Sequence, residues 1–141
     1  MEKEKIIIQD ICLPENTILD HRYQILRVIG RGGFGITYEA INKRVNRRVA
    51  IKEFYSGEYM GREKNMVVLT DRNQQETFET VKKKFLREAR ILGDMSEEPG
   101  VVRVLDYFEE NNTAYIVMDY VQGSSLGEYF RKKGRIEATQ M

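Results

Sequence analysis

Gly30-Arg31-Gly32-Gly33-Phe34-Gly35-Ile36-Thr37-Tyr38, followed after a short basic turn by Val49-Ala50-Ile51-Lys52, carries the strongest structural signal in this chain. A glycine-rich turn followed by a lysine is an arrangement that binds the phosphates of a nucleotide. The glycines let backbone N–H groups approach anionic oxygens, and the lysine adds a mobile positive charge. Three fold families share the Gly-x-Gly-x-x-Gly pattern, so the flanking residues must distinguish them.

The flanking residues favour a hairpin. A Rossmann fold requires a helix that begins at the third glycine, but residues 36–41, Ile-Thr-Tyr-Glu-Ala-Ile, are β-branched and aromatic and favour a strand. A P-loop requires a closing Gly-Lys-Ser or Gly-Lys-Thr, which the sequence lacks. The glycines are therefore predicted to join strands over residues 23–29 and 36–41. Followed by Val-Ala-Ile-Lys, such a hairpin is typical of protein kinases, and an ordinary glycine-rich hairpin is the alternative.

Length and composition bound the class of protein. The 141 residues can form one compact domain with a modest core. A hydrophobic content of 41% and a net charge of +1 give no electrostatic case for nucleic acid or an acidic membrane. Cys12 is the single cysteine, which excludes an internal disulfide and fits the cytoplasm. No apolar run has transmembrane length, although a longer parent protein could carry an anchor elsewhere.

Beyond Lys52 the hydrophobic pattern changes. Residues 55–75 contain Gly57, Gly61, Asp71 and Asn73 and are expected to loop, although residues 66–69, Met-Val-Val-Leu, could be strand-like. From Phe78 apolar side chains recur every three or four positions, which predicts an amphipathic helix that stops at Gly93. Its apolar positions are Phe78, Val81, Phe85, Ala89 and Leu92, and its solvent side carries Lys82, Lys83, Lys84 and Arg87.

The last third of the chain predicts two strands and a short helix. Residues 101–108 and 113–121 read as an antiparallel pair joined by the turn 110–112, Glu-Asn-Asn. Residues 123–125, Gly-Ser-Ser, offer an N-cap for a helix over 126–133. At the other end, residues 6–13 form an N-terminal extension that could include a short strand.

Four motifs in this order resemble one family. Residues 23–38 are similar to the opening of bacterial protein kinases, and residues 49–54 follow it as expected. Residues 85–92, Phe-Leu-Arg-Glu-Ala-Arg-Ile-Leu, resemble the C-helix, and residues 115–121, Tyr-Ile-Val-Met-Asp-Tyr-Val, resemble the fifth strand entering the hinge. The chain thus resembles the amino-terminal lobe (N-lobe) of a bacterial eukaryotic-type (Hanks-type) serine/threonine protein kinase.

The resemblance implies an α+β fold. It consists of a five-stranded antiparallel sheet with one C-helix, followed by the hinge and a short αD helix. The implied boundaries are an N-terminal extension over 1–20 and the N-lobe over 21–121, with an insertion at about 55–75. The hinge, the αD helix and the truncated start of the carboxy-terminal lobe would occupy 122–141.

The resemblance also assigns roles at the phosphate end of the site. Lys52 would pair with the α- and β-phosphates of ATP, and Glu88 would hold Lys52 in place. A solvated charge on the helix surface is the alternative interpretation of Glu88. The loop over the phosphates would be formed by Gly30, Gly32, Gly33, Phe34 and Gly35.

At the adenine end the implied contacts are apolar and backbone contacts. The slot would be lined by Ile29, Ala50, Val102 and Met118, with core packing as the alternative. Thr37 stands where the family usually has valine, which weakens the apolar cover slightly. The backbones of Asp119 and Val121 would bind the adenine edge. Ser125 lies where the ribose is often contacted, but a helix N-cap explains this serine equally well.

Two catalytic motifs of the family are missing from the 141 residues. Phosphoryl transfer needs a His-Arg-Asp loop and an Asp-Phe-Gly metal-binding motif, yet His21 is the only histidine and Asp-Phe-Gly does not occur. We therefore expect an inactive piece of a larger kinase that uses ATP and Mg²⁺ to phosphorylate protein serine or threonine. The alternative is a pseudokinase, or a nucleotide- or protein-binding module without catalysis.

The expected partners are ATP and, through the other lobe, a protein substrate. A homodimer is also expected, because the chain alone would uncover the apolar lobe junction. Bacterial kinases of this type are also expected to pair through the back of the N-lobe. The junction residues are Met95, Val102, Tyr107 and Leu126.

Overall fold

The computed structural model describes residues 11–32, 35–94 and 103–120. Within these ranges the strands are β1 (Ile18–Leu19), β2 (Tyr23–Gly32), β3 (Gly35–Asn42), β4 (Arg47–Phe54), β5 (Met60–Glu63), β6 (Met66–Leu69), β7 (Val104–Glu110) and β8 (Thr113–Asp119). A 3₁₀ turn (Arg72–Gln74) leads into helix α1 (Gln75–Asp94). The predicted αD helix and most of the hinge lie outside the described residues, as do residues 6–10 of the extension.

The main sheet is antiparallel, with strand order β1-β2-β3-β4-β8-β7. Its five long strands and helix α1 confirm the predicted α+β fold. The strand count differs by one, because the two-residue strand β1 pairs with the start of β2. Asp20 and His21, which both have positive φ, reverse the chain between these two strands.

The segment over 55–75 is only in part the predicted loop, and its residues 66–69, which the sequence allowed to be strand-like, form strand β6. It contains the hairpin β5–β6, with Lys64 at φ 56° in its turn. Tyr59, Met60 and Val67 are buried, and the Val67 N–H donates to the carbonyl of Asn111 at 2.8 Å. These strands have four residues each and depend on burial against the rest of the lobe, so the local pattern shows them only weakly.

Helix α1 packs on one face of the sheet through its apolar stripe. Phe78 and Phe85 are buried, and their rings lie 5.9 and 5.5 Å from the ring of Phe54 on β4. The described helix ends at Asp94, one residue after the stop predicted at Gly93. Among the described helices, none combines the length and the apolar character needed to cross a membrane.

The N-terminal segment and the β5–β6 hairpin cover the opposite face. Leu13 is buried there, and its N–H donates to the hydroxyl of Tyr38 at 3.0 Å. Backbone hydrogen bonds of 2.7 and 2.9 Å join Asn16 and Thr17 to Ile25 of β2. Helix α1 therefore covers one face of the sheet, and the N-terminal segment and the β5–β6 hairpin cover the other.

Candidate functional site

Strand β4 places the predicted lysine on the helix side of the sheet. Side chains alternate along a strand, so Ala50, Lys52 and Phe54 share a face. Phe54 contacts α1, which identifies that face as the one under the helix. Thr37 of β3 is the register partner of Lys52 and lies on the same face. We call this surface the front face and the opposite one the back face.

Gly35 lies directly against Lys52. A Cβ atom at Gly35 would be 2.9 Å from Cε of Lys52 and 2.9 Å from the carbonyl oxygen of Glu53. Gly30 and Gly32 are less crowded, and at Gly32 the same atom would meet nothing within 4 Å. The end of the glycine-rich hairpin thus packs on the lysine stem in space that only a glycine leaves. Gly33 and Phe34 lie outside the described residues.

The residues predicted to form an adenine slot are described only in part. Ala50 is 0% and Met118 5% exposed, and the two are cross-strand partners between β4 and β8. Ile29 is half-buried at an irregularity in the β2–β3 register, between Val28 and Gly30. Thr37 is also half-buried. Val102, Val121 and Ser125 of the predicted site lie outside the described residues.

Asp119 is held on two sides at the end of β8. Its carboxylate accepts from Arg47 at 2.7 Å and from Arg103 at 2.9 Å. Its backbone N–H donates to the carbonyl of Arg103 at 3.1 Å. Of its two backbone groups, the carbonyl is therefore the one that could accept a hydrogen bond from an adenine edge.

Lys52 and Glu88 are not joined by an ion pair. Among the described residues no contact within 4.0 Å links the ammonium of Lys52 to the carboxylate of Glu88, which is exposed on α1. Glu88 lies between the buried Phe85 and Ala89, at the edge of the packed stripe. The predicted pairing stays a prediction.

A buried charge network behind Lys52 was not predicted. Glu53 is 0% exposed on the back face and forms an ion pair with Arg62 of β5 at 2.6 Å. A charged residue inside the apolar run of β4 was a signal that Glu53 has a partner, because an unpaired buried charge is very costly. Nothing in the polar stretch identified Arg62 as that partner.

A second unpredicted cluster lies on the front face. Glu39, which is 4% exposed, is the register partner of Ala50. Its carboxylate forms ion pairs with Arg27 at 2.6 Å and with Arg48 at 3.1 Å. Its position beside Ala50 puts these charges at the border of the predicted adenine slot. Both arginines are more than half exposed, whereas the carboxylate is buried and depends on them for its charged partners.

Metal-binding groups do not converge here. In the part of the chain that the structure describes, no three histidine, cysteine, aspartate or glutamate side chains are grouped closely enough to hold a metal ion. The described part of the predicted site consists of Lys52 and the buried apolar pair Ala50 and Met118 on one face of the sheet.

Comparison with known proteins identifies the family. Residues 23–141 match the protein kinase domain. Serine/threonine-protein kinase B of Synechocystis sp. is 36% identical over 116 residues, which cover 82% of this chain and 18% of that protein. Serine/threonine-protein kinase pkn2 of Myxococcus xanthus is 34% identical over 113 residues, which cover 80% of this chain and 11% of that protein.

A solved structure agrees. The structure titled "PpkA-294 apo form" superposes with a TM-score of 0.75 at 34% identity and covers 79% of this chain and 40% of that one. The chain spans less than a fifth of the length of either curated relative. With the sheet order, the helix and the glycine-lysine geometry in place, the chain belongs to the protein kinase domain family and forms an N-lobe of the bacterial serine/threonine type.

Proposed function

We propose that this chain is the ATP-binding lobe of a serine/threonine protein kinase. The observation that carries the proposal is the contact of Gly35 with the stem of Lys52, on the same face as the buried pair Ala50 and Met118. A phosphate-binding charge and an apolar slot on one face match the two ends of a nucleotide. The proposed lobe spans residues 21–121, with the insertion over 55–75.

Each matched residue has a physical task in this proposal. Lys52 places a positive charge at the α- and β-phosphates, and Glu88 pairs with Lys52 when the helix moves toward the sheet. The glycines let the hairpin backbone approach the phosphates closely. The carbonyl of Asp119 accepts a hydrogen bond from the adenine edge, beside the apolar surface of Ala50.

The whole-protein activity is also a proposal. A protein that joins this lobe to a catalytic lobe transfers the γ-phosphate of ATP to serine or threonine of a protein substrate. Mg²⁺ would be held by residues of the catalytic lobe, because the 141 residues contain no Asp-Phe-Gly. We propose that this chain by itself is inactive, that it acts in the cytoplasm, and that it forms a homodimer. Four residues were predicted to lie at the exposed lobe junction. Tyr107, the one of them that the structure describes, is 44% exposed and is available for such a contact.

Calorimetric titration of the chain with ATP tests the binding proposal. We expect weak binding, with a dissociation constant in the high micromolar range or above, or about −5 kcal/mol. Lys52→Ala should weaken it by roughly tenfold or more, since one charge-assisted contact is lost. Lys83→Ala, which removes an exposed lysine of α1, is the matched control. Equal affinities for Lys52→Ala and the unmodified chain would exclude this site.

A phosphotransfer assay distinguishes the alternative, a pseudokinase or a binding module. The purified 141-residue chain, with ATP, Mg²⁺ and a generic protein substrate, should transfer no labelled phosphate. A longer protein with intact His-Arg-Asp and Asp-Phe-Gly motifs should transfer it, and Lys52→Ala should abolish that transfer. A longer protein that binds ATP without transferring phosphate would favour the pseudokinase.

A further inference from the structure

A buried ion pair lies on the back face of the sheet, next to Lys52 in the sequence. Glu53 follows Lys52 on β4 and points to the back face, where its side chain is 0% exposed and that of Arg62 is 1% exposed. Two parallel hydrogen bonds join the groups, from Nη2 to Oε1 at 2.6 Å and from Nη1 to Oε2 at 3.0 Å. Bidentate pairs of this kind constrain both position and orientation.

The carboxylate of Glu53 is fully occupied. Besides Arg62, its Oε1 accepts from the hydroxyl of Tyr38 at 2.9 Å, and its Oε2 accepts from the hydroxyl of Tyr115 at 2.7 Å. Tyr38 lies on β3 and Tyr115 on β8, the two neighbours of β4 in the sheet. Each oxygen therefore has two partners, the normal capacity of a carboxylate oxygen.

The guanidinium of Arg62 is fully occupied too. Nε and Nη2 donate to the carbonyl of Ile11 at 2.9 and 2.7 Å, and Nη1 donates to the carbonyl of Asn65 at 3.1 Å. With the two bonds to Glu53, all five N–H donors of the arginine are used. The pair thus ties the N-terminal segment and the insertion hairpin to three strands of the sheet.

Stability alone is a weak explanation of this pair. Burial of two charges carries a desolvation cost that roughly offsets their attraction, so apolar residues of similar volume often serve the fold as well. What the bidentate pair adds is a defined geometry. It holds β4 at the residue after Lys52, where the Glu53 carbonyl also lies against Gly35.

Lys52 has little else to fix its position. Among the described residues its ammonium takes part in none of the ion pairs, and its stem lies against Gly35. The place from which the side chain starts is therefore set by the backbone of β4. Because neighbouring residues of a strand point to opposite faces, a rotation or slip at Glu53 moves Lys52 equally.

We propose that Arg62 is a positioning residue of the nucleotide site: through Glu53 it holds β4 so that Lys52 lies under Gly35 at the phosphates. The inference rests on the proposed role of Lys52 in ATP binding. It makes the insertion a functional support of the site, although no atom of Arg62 reaches the front face.

The test uses variants of the 141-residue chain to distinguish an effect on the position of Lys52 from an effect on the stability of the fold. The double variant Glu53→Met with Arg62→Leu replaces the pair by apolar groups. Tyr115→Phe removes one hydrogen bond to Glu53 and keeps the ring. Tyr23→Phe is the matched control, since the Tyr23 hydroxyl also donates to a carboxylate, but to that of Asp106 at 3.0 Å and not to Glu53.

Three quantities are measured for each variant: the melting temperature, the ATP affinity, and the NMR signal of Lys52 after reductive methylation with ¹³C-formaldehyde. The Lys52 signal is assigned with Lys52→Arg. We expect the double variant to melt at a lower temperature than the unmodified chain, because the hydroxyls of Tyr38 and Tyr115 and the carbonyl of Ile11 lose their partners. We also expect it to shift or broaden the Lys52 signal and to bind ATP roughly tenfold more weakly.

Tyr115→Phe should move the Lys52 signal in the same direction by less, and Tyr23→Phe should leave it in place. A folded double variant with an unchanged Lys52 signal would overturn the proposal, whatever its melting temperature. If the double variant does not fold, the Lys52 signals of Tyr115→Phe and Tyr23→Phe are compared instead. Equal signals in these two variants would overturn the proposal. If the unmodified chain binds no ATP, the proposed function fails while the Lys52 signal still tests the positioning.

Discussion

Gly35 has a steric reason to be glycine, because the backbone of Glu53 and the stem of Lys52 both lie against it. The buried Cα of Gly35 faces the Glu53 carbonyl and the lysine stem, both closer than a Cβ atom tolerates. The lysine stem is flexible and could move, but the carbonyl belongs to the backbone of a central strand. A side chain at this position therefore has to displace either the hairpin or β4.

We predict that Gly35→Ala destabilises the chain by about 1–3 kcal/mol, the usual cost of overpacking, and weakens ATP binding through the displaced lysine. Gly32→Ala is the matched control in the same hairpin, because its new methyl group meets nothing within 4 Å. Urea unfolding measures both free energies. If Gly35→Ala were as stable as Gly32→Ala, the glycine-rich hairpin would be able to move away from β4 at no measurable cost in free energy.

A second residue-scale prediction concerns alkaline pH. Burial, together with the charge of Asp106, raises the pKa of Tyr23 to about 12. Burial and the charge of Glu53 also raise the pKa of Tyr38 and of Tyr115. A raised pKa in the folded state means that the neutral hydroxyls stabilise the fold below the unfolded value near 10, and that this contribution is lost as pH rises further.

We therefore expect the free energy of unfolding to fall between about pH 10 and pH 12. Tyr23→Phe should make this fall shallower, because one titrating hydroxyl is removed. Urea unfolding at a series of pH values measures the slope. Identical slopes for the variant and the unmodified chain would contradict the assignment to Tyr23.

At the scale of elements, α1 is joined to the sheet by a lysine as well as by its apolar stripe. Lys82 was predicted to face solvent, but its side chain is only 14% exposed. Its ammonium lies 3.0 Å from Glu109 of β7 and 5.3 Å from the centre of the Phe78 ring. The four methylene groups of a lysine can cover apolar surface while the charge reaches a partner.

We predict that Lys82→Ala costs about 1 kcal/mol, from the lost cover, ion pair and cation–π contact together. Lys83→Ala, on the exposed side of the same helix, should change stability by less than about 0.5 kcal/mol. Thermal unfolding of the two variants provides the comparison. Equal losses would mean that the Glu109 contact contributes nothing measurable.

At the scale of the whole molecule, the back face of the sheet is buried within the chain. The N-terminal segment and the β5–β6 hairpin bury it, and Arg62 bonds the two segments together through the carbonyl of Ile11. Pairing of two copies through the back of the lobe, one of the two dimers considered from the sequence, would have to use the outer surface of these segments. The back of the sheet itself is already covered within the chain.

The N-terminal segment should therefore contribute to folding. Leu13 is 3% exposed, and Leu13→Ala is predicted to cost about 2–5 kcal/mol, as for other buried leucines. Ile18→Ala, at a site that is 43% exposed in the same segment, should cost clearly less. Urea unfolding followed by fluorescence measures both. A small effect of Leu13→Ala would show that the segment is dispensable cover.

Much of the fold follows from local patterns. The glycines before Val-Ala-Ile-Lys predict a hairpin and the strand after it, and the spacing of Phe78, Phe85 and Ala89 predicts the packed face of α1. These signals are local, because the period of a strand or helix and the freedom of a glycine depend on neighbouring residues. Asn111 and Asn112, both at positive φ, likewise form the predicted turn between β7 and β8.

The partners of buried charges could not be predicted in this way. Glu53 finds Arg62 and two tyrosines from different strands, and Lys82 finds Glu109, because separate segments are brought together by the sheet and the helix. The distance between Lys52 and Glu88 is likewise set by how α1 lies on the sheet. Residue order specifies which side chains a strand or helix presents to one face, whereas contacts between elements depend on how the elements pack.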